Sequence, residues 1–226
     1  MEGTRSGRPL LAASARPRAA VLLAGCAVFV AVLGLLFAHR STADAFDHAV
    51  DAPVITALAG HNTLIVRLAY PGTTMPAIGI SVVIAVACLF TRRLRGAVLA
   101  VAAVPVAVGL CELLIKPLVH RTYIGQVVYP SGHTATVFAL AAAVTVLLLA
   151  PPRPAVPRWL RILILAVVYL AAVAVVVGVI AVRFHYFTDT VAGAAVGIGT
   201  VCGLALVLDL IPAVRPSRIP RRSAAT

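Results

Sequence analysis

The chain has 226 residues, of which 62% are hydrophobic and 12% charged. A soluble domain carries about 25% charged residues, so this composition excludes an ordinary globular protein and indicates one that lives in a bilayer. The net charge of +12 does not imply nucleic acid, because the arginines stand in short clusters between apolar runs and build no periodic basic face.

The elements follow in chain order. A basic tail, residues 1–18, leads into a first apolar span, Ala19–Ala38. Inside it, Leu23-Ala24-Gly25-Cys26 has the look of a lipoprotein-processing box, but about a dozen apolar residues continue past the cysteine, and an uncleaved membrane helix is expected. Ala43-Asp44-Ala45 likewise has the form of a cleavage site, behind an apolar run that is long for a signal peptide. The segment Ala43–Tyr70 is too polar to cross. Its Asp44, Asp47, His48 and Asp51 fall at i, i+3, i+4 and i+7 and so share one helical face. That face is expected to be the solvated side of a helix lying on the outer membrane surface; an oxygen-rich metal site is the alternative reading.

Five further spans follow: Gly72–Phe90, Gly96–Ile115, His133–Ala150, Leu160–Val182 and Thr190–Ile211. Each approaches the roughly 20 apolar residues that a bilayer requires, and backbone in lipid must bond to itself, so all are expected to be helices. Pro105 offers a kink in the third, Pro151-Pro152 closes the fourth and Pro212 closes the sixth. Gly193 with Gly197, and Gly199 with Gly203, form two small-x-x-x-small pairs that permit close helix approach. Cys26, Cys88, Cys111 and Cys202 all lie in apolar segments and imply no disulfide framework. The expected fold is all-α and integral to the membrane: six transmembrane helices over residues 19–211, flanked by basic tails 1–18 and 212–226.

Fourteen of the nineteen basic residues fall in the two tails, the second-third turn and the fourth-fifth connection. The other side holds Arg40, Arg67, Lys116, Arg121 and Arg183. The excess of arginine on one side puts both termini in the cytoplasm. Every candidate chemical residue then faces outward.

Three patches carry that chemistry. Glu112–Arg121 contains Lys116, the sole lysine of the chain, four residues after Glu112 and therefore on the same helical face. Pro130-Ser131-Gly132-His133 stands at the mouth of the fourth span. Ser131 is the expected N-cap, and the backbone N–H groups of the first turn, approachable at Gly132, form an anion cradle beside His133. The third patch is Arg183, His185 and Asp189. The spacing of four lets the carboxylate reach one ring nitrogen of His185 and leave the other free to attack. A charged residue at a membrane mouth is costly unless it is used. Two histidines, a carboxylate and cations on one side describe phosphoryl transfer.

These motifs resemble those of the type 2 phosphatidic acid phosphatase superfamily, integral-membrane lipid phosphatases related in their sites to vanadium haloperoxidases and glucose-6-phosphatase. The resemblance covers spans three to six. It implies that His185 is the nucleophile, oriented by Asp189, that His133 protonates the leaving group, and that Lys116, Ser131 and Gly132 hold phosphate oxygens. The family pattern has arginine where this chain has Tyr123, and Ser-Arg where it has Gly178-Val179; Arg121 and Arg183 are the arginines expected to serve the phosphate instead. The resulting expectation is a metal-independent hydrolase, without cofactor, acting on a lipid phosphate such as phosphatidic acid or a polyprenyl pyrophosphate at the outer face of a bacterial plasma membrane. A lipid-phosphate transporter or flippase and a catalytically silent homologue are the competing readings.

Overall fold

A computed structural model describes residues 8–152 and 154–211. Residues 1–7 of the first basic tail and all of the second, 212–226, therefore lie outside the described residues. The fold is all-α, 78% helical, with nine α-helices among the described residues: α1 (Arg16–Phe37), α2 (Ala45–Ala57), α3 (Asn62–Ala69), α4 (Thr74–Phe90), α5 (Leu94–Gly109), α6 (Lys116–Val119), α7 (Gly132–Leu149), α8 (Arg158–Ala181) and α9 (Phe187–Leu210).

Five helical runs are long and apolar enough to cross a membrane: Ala13–Phe37, Leu94–Val119, Gly132–Leu149, Arg158–Ala181 and Phe187–Leu210. The expected second span is a bent pair instead. Asn62–Gly72 and Thr74–Phe90 meet at 46°, with Pro71 in the short 3-10 turn between them, where a ring that cannot donate a backbone hydrogen bond is tolerated. The third span is continuous from α5 through a π-helical segment, Leu110–Ile115, into α6. Pro105 lies inside α5, ahead of that wider turn.

Segment 43–70 departs from expectation. It forms two short helices, α2 and α3, around a turn at Gly60 (φ +82°), where a left-handed backbone favours glycine. Asp44 caps α2, its carboxylate accepting the Asp47 N–H at 2.7 Å. Half of the shared face is not solvated: Asp47 and Asp51 are both buried, while Asp44 is half-buried and His48 exposed. It turns inward because a cation waits there.

The helix contacts are held by the smallest side chains. A Cβ added to Gly193 would stand 2.3 Å from the Ser131 carbonyl oxygen, and one on Gly197 would stand 2.4 Å from that of Ala135. Hydrogen at these positions is what lets α9 cross α7 backbone to backbone. Gly199 and Gly203 sit on the other side of α9, against Leu23 and Cys26 of α1. The two small-residue pairs thus serve two different neighbours. Gly178 of α8 plays the same part for α3, since a Cβ there would approach the Ala69 nitrogen to 2.5 Å.

At the end of the bundle away from the histidines, Asp209 accepts the N–H groups of Leu10 (2.8 Å) and Leu11 (3.0 Å) and an Arg95 bond at 3.4 Å. Arg93 donates to the carbonyls of Leu147 and Pro152. At the histidine end, α6 leads into a two-stranded hairpin, Thr122–Tyr123 paired with Gln126–Val127, which an all-helical reading did not foresee. Ile124 and Gly125 at its tip both have positive φ, the requirement of a tight two-residue turn. Tyr129 is buried behind it and donates to the Val30 carbonyl at 2.6 Å, tying this loop to α1.

Candidate active site

The site is assembled from the starts of α7 and α9, the end of the third span and the hairpin. Ser131 is the N-cap of α7, its hydroxyl oxygen accepting the Thr134 N–H at 3.4 Å and the Thr134 hydroxyl at 3.1 Å. Its own N–H donates to the Asp189 carbonyl at 2.9 Å. That bond, with the Gly193 contact one turn further along α9, fixes the mouths of α7 and α9 against each other. The rings of His133 and His185 consequently face one another with centroids 6.1 Å apart.

Lys116 bonds Glu112 at 2.6 and 2.9 Å. The pair lies over the first turn of α7, because a Cβ on Gly132 would come within 2.9 Å of a Glu112 carboxylate oxygen. The π-helical turn carrying Glu112 gives this stretch a register that an unbroken α-helix lacks, a feature common at functional sites. Lys116 acts on His185: burial first, then the positive charges of His133 and Lys116, push the His185 imidazole down to about 3. His185 is therefore a neutral imidazole across the ordinary pH range.

Asp189 does not stand to His185 as the spacing alone suggested. The nearest approach, His185 Nδ1 to Asp189 Oδ2, is 4.0 Å, beyond hydrogen-bond reach. Nδ1 is buried without a partner. Both carboxylate oxygens are engaged elsewhere: Oδ2 accepts the Tyr186 N–H at 3.0 Å and Oδ1 accepts Arg121 at 2.7 Å. Asp189 thus reaches the ring as a charge at 4.0 Å.

Arg121 requires a correction. It was expected to hold phosphate, yet its side chain has 0% exposure. One terminal nitrogen donates to Asp189 and to the Thr188 hydroxyl, both at 2.7 Å, and the other to Asp47 at 2.5 Å. Phe37 and Tyr186 cover its two faces, 4.1 and 4.3 Å from the ring centroids. A guanidinium so enclosed has no face left for a ligand; it is a structural cation. Asp47 is the residue that sequence reasoning missed, since it was assigned to a solvated surface. The available signal was the unusual density of acid in a chain with only seven carboxylates.

Arg183 is exposed and left-handed (φ +61°), standing just before the histidine. Its positive charge acts on the Tyr123 hydroxyl, so it occupies the neighbourhood of the position where the family pattern has its first arginine. The other family arginine position, Val179, is fully buried beside Gly178, where α3 leaves no room for a long cation. A polar cleft of about 490 Å³ is lined by Glu112, Lys116, Pro117, His120, Gln126 and Val127. A separate apolar cleft of about 710 Å³, bordered by Val30, Gly34, Leu114 and Gly199, holds none of them. Among the described residues, no three His, Cys, Asp or Glu side chains converge as metal ligands.

Residues 113–210 match the model of the PAP2 superfamily, a group of phosphatases acting on phosphate esters or lipid phosphates with a membrane-associated fold. The match takes in Lys116, His133, His185 and Asp189 and leaves out α1 to α5. Neither a curated protein nor a solved structure matches the chain.

Proposed function

We propose that this chain, a member of the PAP2 superfamily through residues 113–210, hydrolyses a lipid phosphate or an isoprenoid pyrophosphate through a phosphohistidine on His185. The observation that carries the reading is the facing pair of histidines, 6.1 Å apart, with the Lys116 ammonium beside them. Phosphoryl transfer needs an in-line nucleophile, a proton donor opposite and fixed positive charge for the equatorial oxygens. The neutral His185 ring attacks phosphorus through Nε2 while the phosphorus–oxygen bond to the leaving group breaks. His133 gives its proton to the departing oxygen. Water then attacks the phosphohistidine, His133 takes the water's proton, and inorganic phosphate leaves with the His185 lone pair restored.

Lys116, the first-turn N–H groups at Gly132 and His133, and Arg183 hold the phosphate oxygens in this reading. Ser131 contributes through the cap that aims those N–H groups, because its buried hydroxyl is already engaged. Lys116 exchanges Glu112 for phosphate when substrate arrives. No metal enters the scheme, since the donor set around the histidines supplies cations and N–H groups in place of clustered carboxylates. A substrate anchored in the bilayer enters sideways, its head group meeting the site where α7 and α9 begin. The excess of arginine at the opposite ends of the spans supports an outward-facing site with cytoplasmic termini.

Purified protein in detergent is expected to release phosphate from phosphatidic acid or a polyprenyl pyrophosphate in the presence of EDTA, and His185→Ala is expected to release none. Lipid-phosphate binding and translocation with no release by the unaltered protein would replace the hydrolase with a flippase.

A further inference from the structure

The site includes a carboxylate from outside the matched segment. We propose that Asp47, on the outer helix α2, is a positioning residue for the His185 nucleophile, acting through Arg121 and Thr188 to keep the charge of Asp189 available to the imidazole. This rests on the phosphohistidine reading above and adds to it a residue that neither the matched segment nor the sequence motifs contain.

The geometry is a closed circuit. Asp47 Oδ1 accepts the Thr188 N–H at 2.9 Å, and Oδ2 accepts the Thr188 hydroxyl at 3.1 Å and Arg121 at 2.5 Å. Asp47 therefore holds the first turn of α9, the turn that follows His185, from two directions, and a carboxylate is well placed at a helix N-terminus. Arg121 spans from Asp47 to Asp189. Asp189 in turn holds the Tyr186 N–H, adjacent in the chain to His185. Four side chains thus determine where the imidazole stands, and all four are buried.

Charge counting gives the arrangement its chemical meaning. Arg121 with Asp189 alone would form a neutral pair, and the field of Asp189 at His185 would be largely cancelled. Asp47 neutralises the cation instead and leaves the trio with one net negative charge, 4.0 Å from Nδ1 at its nearest oxygen. Attack on phosphorus turns His185 into a cation, so that residual charge is favourable in the transition state in a buried, low-dielectric setting. Asp51, one turn along α2, does not substitute. Burial first, then the neighbouring Asp47, pushes its carboxyl up to about 7, so it carries a full charge only in alkaline solution.

The test compares Asp47→Asn with Asp47→Glu in the full-length protein. With charge removed, turnover on the lipid substrate is expected to fall about 30-fold or more while KM stays within about twofold. Affinity for vanadate, which adopts the five-coordinate geometry of the transferring phosphoryl group, should weaken about tenfold or more, and affinity for inorganic phosphate should hold within about twofold. Asp47→Glu, which keeps the charge, is expected to recover most of the loss. Equal impairment of both variants, or a parallel loss of vanadate and phosphate binding, would reduce Asp47 to a folding role and overturn the proposal. Should Asp47→Asn fail to fold, the Asp47→Asn/Arg121→Met pair leaves no unpaired cation and keeps the net negative charge. It is expected within about tenfold of the unaltered turnover, and a loss of about 100-fold or more overturns the idea. An unaltered protein that releases no phosphate defeats the hydrolase reading itself; an active protein indifferent to Asp47→Asn defeats only this inference.

Discussion

Two charged regions lie side by side at the histidine end of this protein and behave in opposite ways. In the first, Arg121, Asp47, Asp189 and Thr188 form a sealed cluster in which nearly every donor has an acceptor and two aromatic rings cover the cation. In the second, Lys116 and Glu112 line a cleft and bond only each other, and the exposed Arg183 stands near the histidines. The contrast separates structural charge from working charge. A guanidinium with both terminal nitrogens engaged and no exposed face cannot bind an incoming anion, whatever its place in a motif. A lysine whose single partner is a half-exposed carboxylate can exchange it.

Four predictions bear on that contrast. His185→Ala should lower phosphate release by about 10⁴-fold or more with the helical content unchanged, as judged by circular dichroism; retained activity would remove the nucleophile from the scheme. Arg121→Ala should cost about 3–5 kcal/mol of stability by leaving two buried carboxylates unpaired. The contrast fails if thermal unfolding in detergent barely moves. Lys116→Ala should do the reverse, reducing kcat by about 10²-fold or more while leaving the unfolding temperature near that of the parent. Gly193→Ala should destabilise by about 1–3 kcal/mol, because a methyl is driven toward the Ser131 carbonyl, and should also slow turnover by parting His133 from His185.

The smallest effects concern pH. The folded pKa of His185 lies at about 3, below that of the unfolded chain, so the unfolded state binds more protons in between. Its contribution to stability is present above the unfolded value of about 6.5 and is lost as pH falls toward 3. Asp51 has the opposite sign. With its folded value raised to about 7, its contribution is fully present below about 4 and is lost as pH rises through 7. Asp51→Asn should therefore remove that fall and leave the His185 rise unopposed, so that stability climbs more steeply with pH between about 4 and 6.5; an unchanged slope by chemical denaturation would place Asp51 in water.

Much of this was legible in the sequence. Apolar runs bounded by proline and arginine mark the spans because a bilayer leaves the backbone no other arrangement. The spacings Pro130–His133 and His185–Asp189 mark the candidate reacting groups because they stand at helix mouths, where a titratable residue is costly. Ser131 as an N-cap and the glycines of α9 as contact points follow from equally local rules. The bent second span, by contrast, depends on how α3 docks against Gly178, and the hairpin at Ile124-Gly125 depends on α6 delivering the chain there.

The amino-acid order by itself determined that this is a helical membrane protein and which histidines stand at helix mouths, since length, hydropathy and spacing are local quantities; residues 113–210 of it match the PAP2 superfamily. Only the tertiary structure decided which charges are free. Asp47 reads as a surface acid and Arg121 as a phosphate ligand until α2 folds over α9 and brings together residues 74 positions apart. Pairing in a desolvated interior is a relation between distant segments, and no single stretch of sequence contains it.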